Sequence, residues 1–216
     1  MLRGKRLWYV LSAFAVIVVA LGAIGVWWFR FREPDVARFG SEEPGIVVIG
    51  DSYTSGFGEN ETSWPELLAA GSGETIASAA VPMSGYAVPE RPFADQLERV
   101  SDLSPETVVI AGSRNDQSRA DQFPGAAVSL WREAASAFPE SRIVVVGPMW
   151  DATEAPDAVR ELDDRMAQAA SDAGITYVSG VDWLAGQADM MQADDMHPND
   201  EAQRILAERF EVVLGL

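Results

Sequence analysis

The chain contains no cysteine and only one histidine among its 216 residues. Without thiols it forms neither a disulfide framework nor a thiolate metal site, and covalent catalysis through sulfur is excluded. A lone imidazole, that of His197, also excludes the zinc motifs that need two histidines. Any histidine that acts as a general base must therefore be His197.

Basic residues are scarce beyond the N-terminus. Residues 33–216 hold all 33 acidic residues but only 11 of the 16 basic ones, so their net formal charge is −22. Such a surface repels phosphate backbones and anionic lipid headgroups. We therefore expect no nucleic-acid partner.

Charge is absent from residues 7–29, a run of 23 residues that is mostly apolar. A bilayer core is spanned by about 20 apolar helical residues, so this run predicts a transmembrane anchor. Arg3, Lys5 and Arg6 precede it, which favours residues 1–6 in the cytoplasm and the rest of the chain outside. A cleaved signal peptide is the alternative, although its apolar region is usually about 7–15 residues long. The sequence thus predicts a single-pass cell-membrane protein with an extracytoplasmic domain.

Residues 30–44 contain two prolines and several charges, which is typical of a linker, and the remaining domain spans residues 45–216. In that domain, short apolar runs that predict buried strands alternate with longer amphipathic segments that predict helices. The strands are predicted at 45–50, 75–80, 107–112, 142–147 and 175–180, and the main helices at 63–70, 91–100, 127–138, 155–174 and 200–215. This alternation predicts a three-layer α/β/α sandwich around a five-stranded parallel, doubly wound sheet of flavodoxin-like order.

Polar residues that could carry chemistry follow two of these strands or precede the last helix. Ser52 comes after the first strand, Asn115 after the third, and Asp194 and His197 shortly before the last helix. A serine hydroxyl is a poor nucleophile until a base takes its proton, and that base needs a partner to orient it. His197 and Asp194 can fill those two roles, and Asn115 with backbone N–H groups can stabilise an oxyanion.

Other interpretations of these residues remain open. Gly, Asp and Ser all favour turns, and Asp51 in the same turn is expected to shape the loop through hydrogen bonds. Asp195 is a second carboxylate beside His197, although the three-residue spacing favours Asp194. The loop "GDSYTSGFG" is also typical of a flavodoxin-like phosphate-binding or nucleotide-binding module, which would leave "DDMHP" without a role. A non-catalytic glycan-binding domain is a third possibility.

Four segments, "GDSYTSG", "SGYA", "GSRND" and "DDMHP", resemble in order and spacing the conserved blocks of the SGNH hydrolases, the GDSL esterase and lipase superfamily. The resemblance covers residues 45–216. It implies that Ser52 is the nucleophile and that His197 and Asp194 are its base and orienting acid. It also implies an oxyanion hole made of the Ser52 N–H, Gly85 and Asn115.

The sequence departs from the family pattern in its third block. Ser113 stands where the family usually has glycine, and Gly112 lies one residue earlier. In the second block, Gly85 is selected by position alone, and Gly71 and Gly73 are rivals on composition.

The resemblance implies a serine esterase or lipase that cleaves acyl esters through an acyl-enzyme without metal or cofactor. Its expected substrates are lipids, small acyl esters or O-acetylated glycans. An O-acyltransferase that modifies cell-envelope glycans is the alternative, because the same acyl-enzyme can pass its acyl group to a sugar hydroxyl instead of water.

Overall fold

Six short strands form a single sheet in a computed structural model that describes residues 34–112 and 114–216. They are β1 (Ala37–Phe39), β2 (Ile46–Gly50), β3 (Ile76–Ser78), β4 (Thr107–Ala111), β5 (Arg142–Val146) and β6 (Thr176–Val178). Their order across the sheet is β1-β3-β2-β4-β5-β6.

Strands β2 to β6 run parallel, as the sequence predicts. Across the sheet these five strands lie in the order β3-β2-β4-β5-β6. Numbered along the chain from one to five, this is the order 2-1-3-4-5 of the flavodoxin-like fold. Strand β2 is buried along its whole length, and β4 is buried from Val108 to Ala111. The near-continuous apolar runs in the sequence therefore mark strands that are covered on both faces.

The prediction of a purely parallel five-stranded sheet is wrong in one respect, because β1 adds a sixth, antiparallel strand. It pairs with β3 in the register Ala37 with Ser78, and it lies within residues 30–44, which were predicted to be a linker. Ala37 and Arg38 are exposed, so this edge strand lacks the apolar pattern by which the others are recognised. Backbone pairing with β3 and the packing of Phe39 against one of the cores hold it in place.

Helices cover both faces of the sheet, as expected for this fold class. They are α1 (Ser52–Ser55), α2 (Trp64–Ser72), α3 (Phe93–Val100), α4 (Phe123–Ala137), α5 (Asp157–Ala173) and α6 (Asp200–Leu214), with 3₁₀ turns at Arg114–Arg119 and Ala188–Met190. Helices α3, α4 and α5 contribute to one buried apolar cluster, and α2 and α6 contribute to the other.

Helix α6 is fixed to the elements that surround β2. The rings of Trp64 in α2 and Phe210 in α6 stack with centroids 3.6 Å apart. The buried Gln203 side chain accepts a hydrogen bond from the Trp64 N–H at 2.8 Å and donates one to the Tyr53 carbonyl at 3.2 Å. The N-terminal end of α6 is therefore held beside the loop that follows β2.

No helix among the described residues is long and apolar enough to cross a bilayer. The predicted anchor at residues 7–29 and the predicted cytoplasmic segment at residues 1–6 lie outside the described residues.

Candidate active site

Ser52 is the first residue of α1, at the carboxyl end of β2. Asp51 caps this short helix, because its Oδ1 atom accepts a hydrogen bond from the Tyr53 N–H at 3.0 Å. Asp51 thus shapes the loop, as expected. Ser52 is only 6% exposed, so its hydroxyl is largely screened from bulk water.

The structure brings Asp194 and His197 into contact. Nδ1 of His197 lies 2.6 Å from Oδ2 of Asp194, while Oδ1 accepts hydrogen bonds from the N–H groups of Met196 and His197. These bonds, the one to the imidazole above all, lower the pKa of Asp194 to about 2. The ionised carboxylate accepts from Nδ1–H, which leaves Nε2 of the neutral imidazole with a lone pair. Asp194 rather than Asp195 is therefore the partner of His197, as the spacing predicts.

Two aromatic residues that follow Ser52 within five positions, Tyr53 and Phe57, contact the loop that carries His197. The Tyr53 hydroxyl donates a hydrogen bond to the Met196 carbonyl at 2.6 Å. Burial raises the pKa of Tyr53 well above its ordinary value, so the hydroxyl keeps the proton that it donates. The ring of Phe57 lies 5.0 Å from the imidazole of His197, between centroids. The loops of Ser52 and His197 therefore meet at the carboxyl edge of the sheet.

Gln192, which the sequence did not mark, fixes the same two loops to each other. Its N–H donates to the His197 carbonyl at 2.8 Å. Its side-chain amide donates to the carbonyls of Phe57 and Pro198, each at 2.9 Å, and accepts from the Glu59 N–H at 3.0 Å. Hydrogen bonds of the Gln192 side chain thus hold the loop that carries His197 against the loop that follows Ser52.

Arg114, which the sequence analysis also did not identify, binds the hydroxyl of Tyr53. The guanidinium donates to the Tyr53 hydroxyl and to Asp151, 3.3 Å away, and stacks over the ring of Trp150 at 4.1 Å. Arg114 and Asp151 are each 7% exposed, so this is a buried ion pair. The Tyr53 hydroxyl is consequently held between Arg114, from which it accepts, and Met196, to which it donates.

Asn115 lies beside the second loop of the site. Its side-chain amide donates one hydrogen bond to the Ser84 carbonyl at 2.8 Å. Within residues 34–112 and 114–216 nothing accepts its second N–H, which an oxyanion could use. Gly112 is needed nearby, because its φ is 125° and a Cβ atom there would lie 2.6 Å from Oδ2 of Asp51.

Gly85 is close to this cluster, but its backbone N–H is directed to the Arg91 carbonyl at 3.3 Å. A Cβ atom at Gly85 would lie 2.5 Å from Oδ2 of Asp116, so glycine is needed there for packing. Its role in an oxyanion hole stays a prediction. The rivals Gly71 and Gly73 lie at the end of α2 that leads into β3, which is the opposite edge of the sheet.

Asp116 connects the second and third blocks. Its two carboxylate oxygens accept hydrogen bonds from the N–H groups of Tyr86 at 2.9 Å and Ala87 at 2.8 Å. Burial raises the pKa of Asp116 above its ordinary value, although these two hydrogen bonds oppose the rise.

Gln96 in α3 joins the loop of Ser52 to the second block. Its side-chain amide donates to the Gly50 carbonyl at 2.9 Å and to Oγ of Ser84 at 2.8 Å, and its oxygen accepts from the Gly50 N–H at 2.9 Å. Gln96 is 1% exposed. Because Ser84 in turn accepts from Asn115, one buried amide positions both Ser52 and Asn115 indirectly.

We predict that Gln96→Leu lowers kcat about 10- to 100-fold, because small displacements of catalytic groups have effects of that size. KM for a small ester should change far less, since Gln96 does not reach the surface. The rate at which a fluorophosphonate labels Ser52 should fall by the same factor as kcat. The control is Gln168→Leu, on an exposed position of α5. Equal labelling rates in Gln96→Leu and the wild type would contradict this positioning role.

Comparisons with known proteins show which family the chain belongs to. The model of the GDSL-like Lipase/Acylhydrolase family matches residues 48–205. GDSL lipase Rv0518 of Mycobacterium tuberculosis is 28% identical over 188 residues, which cover 79% of this chain and 81% of that protein.

Two solved esterases share the fold. A family two carbohydrate esterase from Clostridium thermocellum, in complex with cellohexaose, has a TM-score of 0.65 at 19% identity over 82% of this chain and 67% of its own. The psychrotrophic esterase EstA from Pseudoalteromonas sp. has a TM-score of 0.63 at 19% identity over 79% of this chain and 96% of its own. The family match includes the loops of Ser52, Asn115 and His197. The chain therefore belongs to the GDSL-like lipase/acylhydrolase family and is a carboxylic ester hydrolase.

Proposed function

We propose that Ser52, His197 and Asp194 form the catalytic triad of this hydrolase. The hydrogen bond of 2.6 Å between His197 Nδ1 and Asp194 Oδ2 carries the proposal, because it orients the imidazole with Nε2 as a proton acceptor. The contacts of Tyr53 and Phe57 with the His197 loop support it, since both residues lie within the five positions that follow Ser52.

In this mechanism Nε2 of His197 takes the proton from Oγ of Ser52 while Oγ attacks the ester carbonyl carbon. The tetrahedral intermediate collapses when the protonated His197 gives that proton to the leaving alcohol, which leaves an acyl group on Ser52. Water then attacks the acyl-enzyme, with His197 as its base, and releases the carboxylic acid. No step of this mechanism requires a metal or cofactor.

The negative oxygen of the intermediate needs hydrogen-bond donors. The second amide N–H of Asn115 and the backbone N–H of Ser52 supply two of them in this proposal. Gly85 can supply a third only if its N–H leaves the Arg91 carbonyl.

The proposed substrates are lipids, small acyl esters or O-acetylated glycans. The name of the Mycobacterium tuberculosis relative, a GDSL lipase, supports the first class. The similarity in fold to a carbohydrate esterase supports the last.

We predict that Ser52→Ala lowers kcat by about four to six orders of magnitude, as removal of a triad nucleophile does in other hydrolases. A fluorophosphonate probe should label Ser52, and peptide mass spectrometry locates the label. The control is Ser101→Ala, whose exposed hydroxyl donates to the Glu98 carbonyl in the turn after α3. Activity that survives in Ser52→Ala, with label on another serine, would refute the triad.

We predict that kcat/KM falls on acidification with the uptake of one proton, because His197 must be neutral to act as a base. The pKa of Asp194 is lowered, so that carboxylate stays charged until the pH falls to about 2 and adds no second step above that pH.

Asp194→Asn should lower kcat about 10⁴-fold by favouring the wrong imidazole tautomer. Asp195→Asn is the matched control and should keep most of the activity. Similar losses in both variants would contradict the assignment of Asp194.

We also propose that the enzyme is anchored in the cell membrane with its hydrolase domain outside the cytoplasm. The uncharged run at residues 7–29 and the basic residues before it support this topology.

To test the topology, we predict that protease added to intact spheroplasts removes the domain that follows residue 32. A cytoplasmic protein serves as the control for intact spheroplasts. Protection of the domain would mean the reverse orientation, and recovery of a soluble form without its first 30 or so residues would indicate a cleaved signal peptide.

A further inference from the structure

Three exposed apolar side chains lie in the loops of the active site. Among the described residues, the large hydrophobic side chains that are exposed are Phe57, Met83, Met196, Val212 and Leu216. The last two lie at the C-terminal end of the chain, whereas the first three follow β2, follow β3 and precede His197. We call Phe57, Met83 and Met196 the apolar rim.

Phe57 is exposed although hydrogen bonds at its N–H and at its carbonyl fix its backbone. Its N–H donates to the Ser52 carbonyl at 3.1 Å, and its carbonyl accepts from the Gln192 side chain at 2.9 Å. Phe57 is 48% exposed, and the centroid of its ring lies 5.0 Å from that of His197. The ring is therefore fixed beside the catalytic base with its remaining surface toward solvent.

Met196 is fixed in the same way. Its N–H donates to Oδ1 of Asp194 at 3.0 Å, and its carbonyl accepts from the Tyr53 hydroxyl at 2.6 Å. The side chain is nevertheless 47% exposed, directly before His197 in the chain.

Met83 supplies the third member of the rim from the loop after β3. Its φ is 64°, a conformation that residues with a Cβ atom rarely adopt. The next residue, Ser84, holds the turn in place by donating to the Gly50 carbonyl at 3.0 Å and accepting from Asn115. Because β2 and β3 are parallel, this turn lies at the same edge of the sheet as Ser52, and the Met83 side chain there is 62% exposed.

We propose that the apolar rim binds the hydrocarbon chain of the substrate's acyl group, so that the enzyme prefers fatty-acyl esters to acetyl esters. This inference rests on the proposed function of Ser52 and His197. The three side chains offer no strong hydrogen-bonding group to a sugar, and two of them are methionines, whose flexible thioethers adapt to chains of different shape. A neutral acyl chain is also not repelled by the strongly acidic domain.

The rim remains useful throughout the reaction. The acyl group stays attached to Ser52 after the alcohol has left, so an apolar contact with it can act in both acylation and deacylation. Water is displaced from the rim and from the chain when the two meet, which is the source of the expected preference.

The test measures kcat/KM for p-nitrophenyl acetate, butyrate, hexanoate and octanoate, below the concentrations at which they aggregate. Complete burial of one methylene group corresponds to about a fourfold effect, so contact with an open rim should give about a twofold rise per methylene. The leaving group is constant in this series, so the rise reports on the acyl chain alone.

Three variants then test the rim itself. Phe57→Ser, Met196→Gln and Met83→Asn should each lower the ratio of octanoate to acetate hydrolysis about three- to tenfold. Asparagine is chosen at position 83 because it tolerates a positive φ. Val212→Ser is the matched control, since Val212 is exposed on α6 outside the rim, and its ratio should equal that of the wild type.

Several results would overturn the inference while leaving the triad intact. These are a wild-type enzyme that hydrolyses acetate as well as octanoate, or rim variants that keep the wild-type ratio. A dependence on the chain of alkyl acetates instead would assign the rim to the alcohol, and a preference for acetylated xylooligosaccharides would assign it to a glycan. The absence of any Ser52-dependent hydrolysis would instead refute the proposed function, and fluorophosphonate labelling separates the two failures.

Discussion

The backbone N–H and C=O groups of Gly50, at the end of β2, are buried, and the site depends on how these two groups are hydrogen-bonded. Gln96 accepts from the Gly50 N–H and donates to the Gly50 carbonyl, which also accepts from Ser84. A buried peptide group left without a partner costs about 1–3 kcal/mol, so this arrangement strongly favours one position for the strand end. Ser52 follows two residues later, and the loop that contacts Asn115 is attached to the same carbonyl. Helix α3, which carries none of the proposed catalytic groups, therefore helps to position the loops of the proposed site.

Much of this fold is readable from local patterns in the sequence. The strands β2 and β4 are near-continuous apolar runs because both of their faces are covered, and their predicted ends differ from the observed ones by one residue at most. The contact between Asp194 and His197 is also local, since it spans three residues in a turn. Strand β1 was missed because an exposed edge strand is stabilised by its neighbour's backbone and not by a pattern of its own.

The sequence did not predict the contacts that polar side chains of the site make with residues far away in the chain. Gln96 belongs to an amphipathic helix, and nothing in its neighbourhood distinguishes it from a glutamine on the surface. Its partner Gly50 lies 46 residues away. Arg114 has the same property, because a cation in a loop normally faces water, and only the folded chain shows it stacked on Trp150 and paired with Asp151. For Gly85, the block pattern identifies a glycine but does not indicate that its N–H bonds the Arg91 carbonyl, and its role in an oxyanion hole stays a prediction.

The conformation of Met83 has a consequence for how this enzyme can change. A left-handed backbone costs a residue with a Cβ atom about 1–2 kcal/mol, and the hydrogen bonds of Ser84 offset that cost. The turn is thus maintained by residue 84, while the exposed side chain at position 83 does little to maintain it. Exchange of Met83 for asparagine or glycine would relieve strain while altering the surface at the edge of the sheet where Ser52 lies. In the proposed role of the apolar rim, position 83 is therefore a place where substrate preference can diverge at little structural cost, in evolution or in the laboratory.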